Sequence, residues 1–98
     1  MADQFYVYIM ANRPRGSIYI GMTNNLVRRV HEHRGGATKG FSKTYKTNQL
    51  VYFEVFDDPI SAIAREKRLK NWNRDWKIEL IEKSNPTWLD LWDDITKS

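Results

Sequence analysis

The chain reads as an α+β domain: a small, mostly antiparallel three-stranded sheet flanked by helices, in the order β-β-α-β-α-α-α. Three observations carry that reading. Phe5 to Met10, Ser17 to Met22 and Leu50 to Phe56 are short runs of aromatic and β-branched residues, the composition of strands. The segments between and after them open on side chains suited to helix capping: Thr23-Asn24-Asn25, Asp58-Pro59, Asn73 and Asn85-Pro86. The first two strands are joined by Asn12-Arg13-Pro14-Arg15-Gly16, turn chemistry that makes them a hairpin with a longish loop. Ninety-eight residues are enough for one domain, here residues 1–98, with a single modest core.

The elements follow in order. After the hairpin a helix spans Leu26 to about Arg34, and Gly35-Gly36 stops it. Residues 35–49 form a polar loop, long for so compact a domain and therefore a candidate for function. In the third strand, alternation places Val51, Phe53 and Val55 on one face and Tyr52, Glu54 and Phe56 on the other. Asp58 caps a basic helix that runs to about Asn71, and Asn73 caps another covering Trp76, Leu80 and Ile81. A last helix is expected from Asn85-Pro86, with Trp88, Leu91, Trp92 and Ile95 forming an amphipathic stripe for core packing.

The chain has no cysteine, which excludes disulfides and thiolate metal sites and suits a reducing, cytoplasmic setting. No apolar run approaches a membrane span, and Met1-Ala2-Asp3-Gln4 does not open like a signal peptide. Net charge is +4, unevenly placed. Up to Phe53, eight bases face only Asp3 and Glu32; from Glu54 onward, eight bases face ten acids. That asymmetry points to a polyanionic partner held by one part of the fold.

Candidate chemistry is sparse. Tyr6 and Tyr8 share one face of the first strand. A phenol is a poor base at neutral pH unless hydrogen bonds or cations lower its pKa. Tyr19 stands two residues before Gly21, whose missing side chain suggests a close backbone approach or a bend. Arg29 and His33, four apart, share one helical face. An arginine there suits charge developing on a phosphate, and a histidine suits proton transfer or phosphate contact. Glu66 lies four residues before Lys70, so it reads either as half of a helix salt bridge or as the single carboxylate typical of a magnesium site.

Taken together, Tyr6-Val7-Tyr8-Ile9, the run Tyr19-Ile20-Gly21-Met22-Thr23-Asn24-Asn25-Leu26-Val27-Arg28-Arg29 and the segment Ala64-Arg65-Glu66-Lys67 resemble the GIY-YIG nuclease domain. The likeness spans nearly the whole chain and is greatest to small stand-alone bacterial proteins made of little else. It implies a metal-dependent phosphodiesterase acting on DNA rather than RNA, in repair or recombination, with water as nucleophile. Carried over, Tyr19 is the preferred base with Tyr8 in support, and Arg29 steadies the transition state. Glu66 holds one divalent ion, Mg²⁺ or Mn²⁺. His33 joins the catalytic set, and Asn85 is the candidate for a late polar residue of the family. Arg28, Arg34, Lys39, Lys43, Lys46, Arg65, Lys67, Arg68 and Lys70 are the expected backbone contacts, sequence-independent and salt-sensitive.

Two positions depart from the pattern: Tyr6 replaces the first glycine, and Met22 stands where DNA-repair relatives carry lysine. With no attached DNA-binding domain, the resemblance implies a weak, structure-selective or partner-dependent nuclease. The alternative is a binding module that kept the fold and lost turnover, working with a specificity-providing protein. An adaptor presenting Trp88 and Trp92 has the least support.

Overall fold

The computed structural model describes residues 4–35 and 47–97. A three-stranded antiparallel sheet is ordered β2-β1-β3, with β1 (Phe5–Ala11) central, β2 (Ile18–Thr23) and β3 (Gln49–Phe56). Among the described residues four helices accompany it: α1 (Leu26–His33), α2 (Pro59–Asn71), α3 (Arg74–Ser84) and α4 (Trp92–Thr96). The element order is the one expected from the sequence. Among the described residues no helix is long and apolar enough to cross a membrane.

The central position of β1 explains its composition. Val7, Tyr8, Ile9, Met10 and Ala11 are all buried, because the strand is covered on both faces. On one face Val7, Ile9 and Ala11 join Ile20, Val51, Ala62, Leu69, Ile81 and Trp88, so that α2 and α3 close this side. On the other, Tyr8 and Met10 pack with Leu26, Val30 and Leu50, and Leu91, Trp92 and Ile95 lie against them. This second face, beneath α1 and α4, carries Tyr6, Tyr8 and Tyr19 and is the tyrosine face. Met22 pairs with Val7 and packs into the first cluster, on the side of the sheet away from Tyr19 and Gly21.

The sequence alternation fails at one residue of β3. Ile9 pairs with Tyr52 and Met10 with Leu50, which leaves Val51 as an extra residue in the ladder. This β-bulge puts Val51 in the same core as its neighbour Tyr52, whereas Phe53 faces the tyrosine side. Alternation alone had placed Val51 with Phe53.

Helix starts follow the expected capping. Asn25 Oδ1 accepts from Arg28 N–H (3.1 Å), Asp58 Oδ2 from Ser61 N–H (2.8 Å) and Asn73 Oδ1 from Trp76 N–H (2.9 Å). Helix α1 ends at Gly35, whose φ of 85° is the left-handed geometry that favours glycine after a helix.

The C-terminal segment departs from the sequence reading. Asn85 does not start a helix; it ends α3, and α4 begins only at Trp92. Between them Trp88 adopts φ 59°, left-handed and costly for a side chain with Cβ. The expected stripe is therefore divided. Trp88 enters the α2/α3 core, with Nε1–H donating to Glu82 (2.7 Å), whereas Leu91, Trp92 and Ile95 pack on the tyrosine face.

Asn85 fixes this crossing. Its buried amide donates to Val51 O (3.0 Å) and Leu89 O (2.9 Å), and its Oδ1 accepts from Leu89 N–H (2.9 Å). Leu91 N–H then donates to Leu50 O (2.7 Å), attaching the segment beside β3. Asn85→Ala strands buried backbone groups of Val51 and Leu89, so it is expected to destabilise the fold by about 1–3 kcal/mol. Equilibrium urea denaturation measures this; a loss below about half a kcal/mol would contradict the clamp.

Candidate active site

Tyr8 and Gly21 face each other across β1 and β2. A Cβ at position 21 would lie 2.5 Å from Tyr8 Oη and 2.7 Å from Cζ. Gly21 is therefore the space that the Tyr8 ring occupies, as the sequence suggested in reading it as a site of close approach. Two residues earlier on the same face, Tyr19 brings its ring centroid 6.2 Å from that of Tyr8. His33, from the last turn of α1, closes the group. Its ring centroid is 4.9 Å from Tyr19 and 5.6 Å from Tyr8, and its Nε2 is 3.3 Å from Tyr8 Oη.

Tyr8 and His33 are enclosed. Burial, reinforced by the neighbouring Tyr19, raises the Tyr8 pKa well above the phenol range, and the nearby Arg29 only partly opposes this. Tyr8 therefore keeps its proton, in line with a supporting place beside Tyr19. Burial, with Arg29 adding to it, lowers His33 from 6.5 to about 4, against a backbone hydrogen bond with Thr47. His33 is a buried, neutral ring and not a solvated helix residue.

Charge lies at the margin. Arg29, on the same face of α1 as His33, acts electrostatically on both Tyr8 and His33. Its guanidinium is 3.6 Å from Glu32, which also pairs with Arg28 at 3.4 Å. From α2, Glu66 contributes an opposing field at Tyr8. Its carboxylate makes the expected salt bridge with Lys70, at 3.0 Å, and its side chain is mostly covered. The structure thus places Tyr8, Tyr19, His33, Arg29 and Glu66 within one electrostatic neighbourhood. Asn85 stands apart from it in hydrogen bonding, since both ends of its amide serve the β3 crossing.

The expected phosphate contacts are divided. Lys39, Lys43 and Lys46 lie outside the described residues. Arg65 is engaged within the fold: it donates twice to Glu54 (2.9 Å each) and stacks 5.3 Å over Trp72. Arg34 likewise pairs with Asp90 (2.6 Å), donates to Asn48 O (3.2 Å) and lies 5.2 Å over Trp92. These two arginines hold elements together, which sequence could not distinguish from surface charge. Lys67 and Arg68 are exposed on α2 and make no ion pair among the described residues, and Arg28 is exposed on α1.

Sequence reasoning read Thr23, Asn24 and Asn25 only as caps. They also line a polar cleft of about 160 Å³ with Arg28, Arg29 and Glu32. The signal was available in principle, as three hydrogen-bonding side chains directly precede the paired arginines.

For a divalent ion, the protein offers one carboxylate at this site. Among the described residues no three His, Asp or Glu side chains gather as a ligand cage. Glu66 alone fits the chemistry of Mg²⁺, which retains waters and commonly takes one or two carboxylates plus substrate phosphate oxygens.

Comparison with known proteins agrees with this arrangement. Residues 4–79 match the family described as the GIY-YIG catalytic domain. A UPF0213 protein of Haloquadratum walsbyi is 37% identical over 83 residues, covering 85% of this chain and 92% of its own length. Another, from Staphylococcus saprophyticus, is 33% identical over 81 residues, 83% of this chain and 98% of its own. One from Clostridium perfringens is 35% identical over 80 residues, 82% of this chain and 85% of its own. No solved structure gives a significant match.

Two outcomes follow from the geometry. Gly21→Ala displaces Tyr8 and is expected to destabilise by about 1–3 kcal/mol. The penalty should shrink in a Tyr8→Leu background, and additive effects in a double-mutant cycle would refute the contact. Secondly, the unfolded chain binds a proton at His33 below pH 6.5 that the fold resists until about pH 4. Stability is therefore complete above that window and falls as pH drops through it, by on the order of 3 kcal/mol. His33→Gln should lose this share of the pH dependence while the carboxylate contribution remains. Identical pH–stability slopes for the two proteins would show that His33 is not held neutral.

Proposed function

The chain belongs to the GIY-YIG family, and on that premise we propose that it is a divalent-metal-dependent nuclease that hydrolyses phosphodiester bonds in DNA. The observation that carries this reading is the convergence of Tyr8, Tyr19 and His33, on one sheet face, with the charges of Arg29 and Glu66. Buried, neutral Tyr8 and His33 with opposite charges at their margin suit a reaction that gathers charge on a phosphate.

Within the proposal each side chain has one task. Tyr19, acting as its phenolate, takes the proton of the attacking water as the oxygen–phosphorus bond forms. Tyr8, held in its protonated form by burial, donates a hydrogen bond to Tyr19, which stabilises the Tyr19 phenolate that the step requires. His33 steadies Tyr8 from the other side through the 3.3 Å contact. Arg29 neutralises charge on the non-bridging phosphate oxygens as the P–O bond to water forms and the bond to the leaving oxygen breaks. Glu66 would hold the Mg²⁺ or Mn²⁺, whose chemistry is to stabilise the departing oxygen. Arg28, Lys67 and Arg68 supply exposed charge for the DNA backbone, contacts that carry no sequence preference. A specificity-providing protein and a role in repair or recombination fit a domain this small, and the absence of cysteine suits a reducing cytoplasm.

One observation favours a second reading, a binding module without turnover. The Glu66 carboxylate is already paired with Lys70. An exposed lysine makes a weak competitor, however, because such pairs contribute little.

The test is cleavage of labelled single-stranded, duplex, flap and branched DNAs with Mg²⁺ or Mn²⁺ at low salt. Arg29→Ala should slow cleavage by about two to three orders of magnitude. Glu66→Ala and Tyr19→Phe should abolish it while DNA binding persists. Binding without cleavage in either metal would establish the second reading. Cleavage that survives Glu66→Ala would refute the assignment of that carboxylate.

A further inference from the structure

A second cleft, of about 310 Å³, lies beside the arginine cleft on the tyrosine side of the sheet. Its walls include Tyr6, Phe53, Leu26, Asn24, Asn25 and Asp94. Asn24 and Asn25 line both clefts, so the two adjoin. Tyr6 lies two residues before Tyr8 on the same face of β1, and Phe53 is the direct cross-strand partner of Tyr8. Arg28 and Arg29 thus line one cleft, and a pair of partly exposed aromatic rings lines its neighbour.

The two clefts differ in what they accept. Arg28 and Arg29 give one of them positive charge. At the other, Asp94 places a carboxylate that repels phosphate and can accept a hydrogen bond from an exocyclic amine. Asn24 is exposed and makes no hydrogen bond among the described residues, so its amide presents a donor and an acceptor together. Aromatic walls, one amide and one carboxylate, next to a cationic cleft, are the complement of a flat, polar-edged ring joined to a phosphate.

Resting on the nucleic-acid reading given above, we propose that this cleft is a subsite for one unpaired nucleobase of a DNA strand whose phosphate lies in the Arg28/Arg29 cleft. Tyr6 and Phe53 supply the stacking surface, and Asn24 and Asp94 meet the base edge. A base paired within a duplex cannot enter, because its edge and faces are already occupied. The subsite thus gives the domain a preference for flaps, branches and single strands. Stacking on an aromatic ring tolerates any base, so the preference is for structure and not for sequence.

The test uses the full chain in EDTA with a single-stranded oligodeoxynucleotide carrying one 2-aminopurine, and with the matched blunt duplex. The wild-type protein is expected to quench the probe's fluorescence on the single strand beyond the free-oligonucleotide level, and to leave the duplex signal unchanged. Tyr6→Leu should abolish the quenching and weaken single-strand binding roughly tenfold, with duplex affinity preserved. Asn24→Ala, a surface substitution that spares the core, should weaken single-strand binding several-fold in the same selective way. Arg28→Ala should weaken binding to both DNAs alike. Binding to both DNAs without quenching would overturn the subsite and leave the nucleic-acid reading standing, as would single-strand affinity unchanged in both cleft variants. Absence of binding to either DNA would overturn the nucleic-acid reading and the subsite together.

Discussion

The placement of the Tyr8 ring over Gly21 is the constraint on which the site depends. Tyr8 sits on the central strand, buried on both sides by its neighbours, so the ring has nowhere to move. Its hydroxyl end needs the volume that a side chain at position 21 would fill. Because the two residues are register partners, this one steric requirement also fixes how β1 and β2 align. A slip by one residue would turn Tyr8 to the α2/α3 core and Val7 to the site. The same alignment brings Tyr19 beside Tyr8 and gives His33 a polar atom to meet. The spacing of Tyr19 and Gly21 thus has a mechanical basis apart from catalysis: one residue shapes the floor and the other leaves room for it.

Burial then decides the chemistry of each group. An enclosed site penalises charge, which raises Tyr8 and lowers His33 until both are neutral at ordinary pH. Charge survives only where water or an ion partner is near, at Arg29 and Glu66 on α1 and α2. The two helices approach from different sides of the sheet, so the polarity of the site is a product of tertiary structure. No single segment contains it.

What could be read from the sequence follows from this division. Local chemistry was legible: the caps at Asn25, Asp58 and Asn73, the glycine that ends α1, and the glycine that admits Tyr8 each act over a few residues. Helical spacing correctly joined Arg29 to His33 and Glu66 to Lys70. The failures involve distant partners. Nothing near Val51 announces a bulge, which arises from pairing with Ile9 and Met10. The spacing of Trp88, Leu91, Trp92 and Ile95 matched a helix, yet hydrogen bonds from Asn85 to Val51 and Leu89 divert the chain first. Periodicity cannot detect such competition. Arg34 and Arg65 looked like free surface charge because Asp90 and Glu54, their partners, are remote in sequence or on another element. Charge counting identified a basic half but not which of its charges the fold itself consumes.

That last point bears on how so small a domain can hold a reaction centre together. The segment after α3 has little regular structure, yet it must carry Leu91, Trp92 and Ile95 back to the tyrosine face. Polar clamps do this work. Asp90 Oδ1 accepts from Leu50 N–H (3.2 Å) and Trp92 N–H (3.1 Å), while its other oxygen takes Arg34. Arg34 follows the end of α1 directly, so the Asp90 carboxylate ties the arginine helix to β3 and to the start of α4. Arg15 and Glu82 form a comparable link between the hairpin loop and α3, and Trp88 shares that carboxylate. Such pairs are worth little when isolated and exposed. Here each joins three segments, and the Arg34–Asp90 pair also satisfies backbone groups of Asn48, Leu50 and Trp92, so its loss would disturb geometry more than its Coulomb energy suggests. A chain of this length cannot enlarge its core to hold α1 and α4 in place. It uses charged side chains instead, and the arginines so employed are unavailable to a polyanion. Among the described residues, the exposed charge open to a nucleic acid includes Arg28 on α1 and Lys67 and Arg68 on α2, the two helices that also carry Arg29 and Glu66.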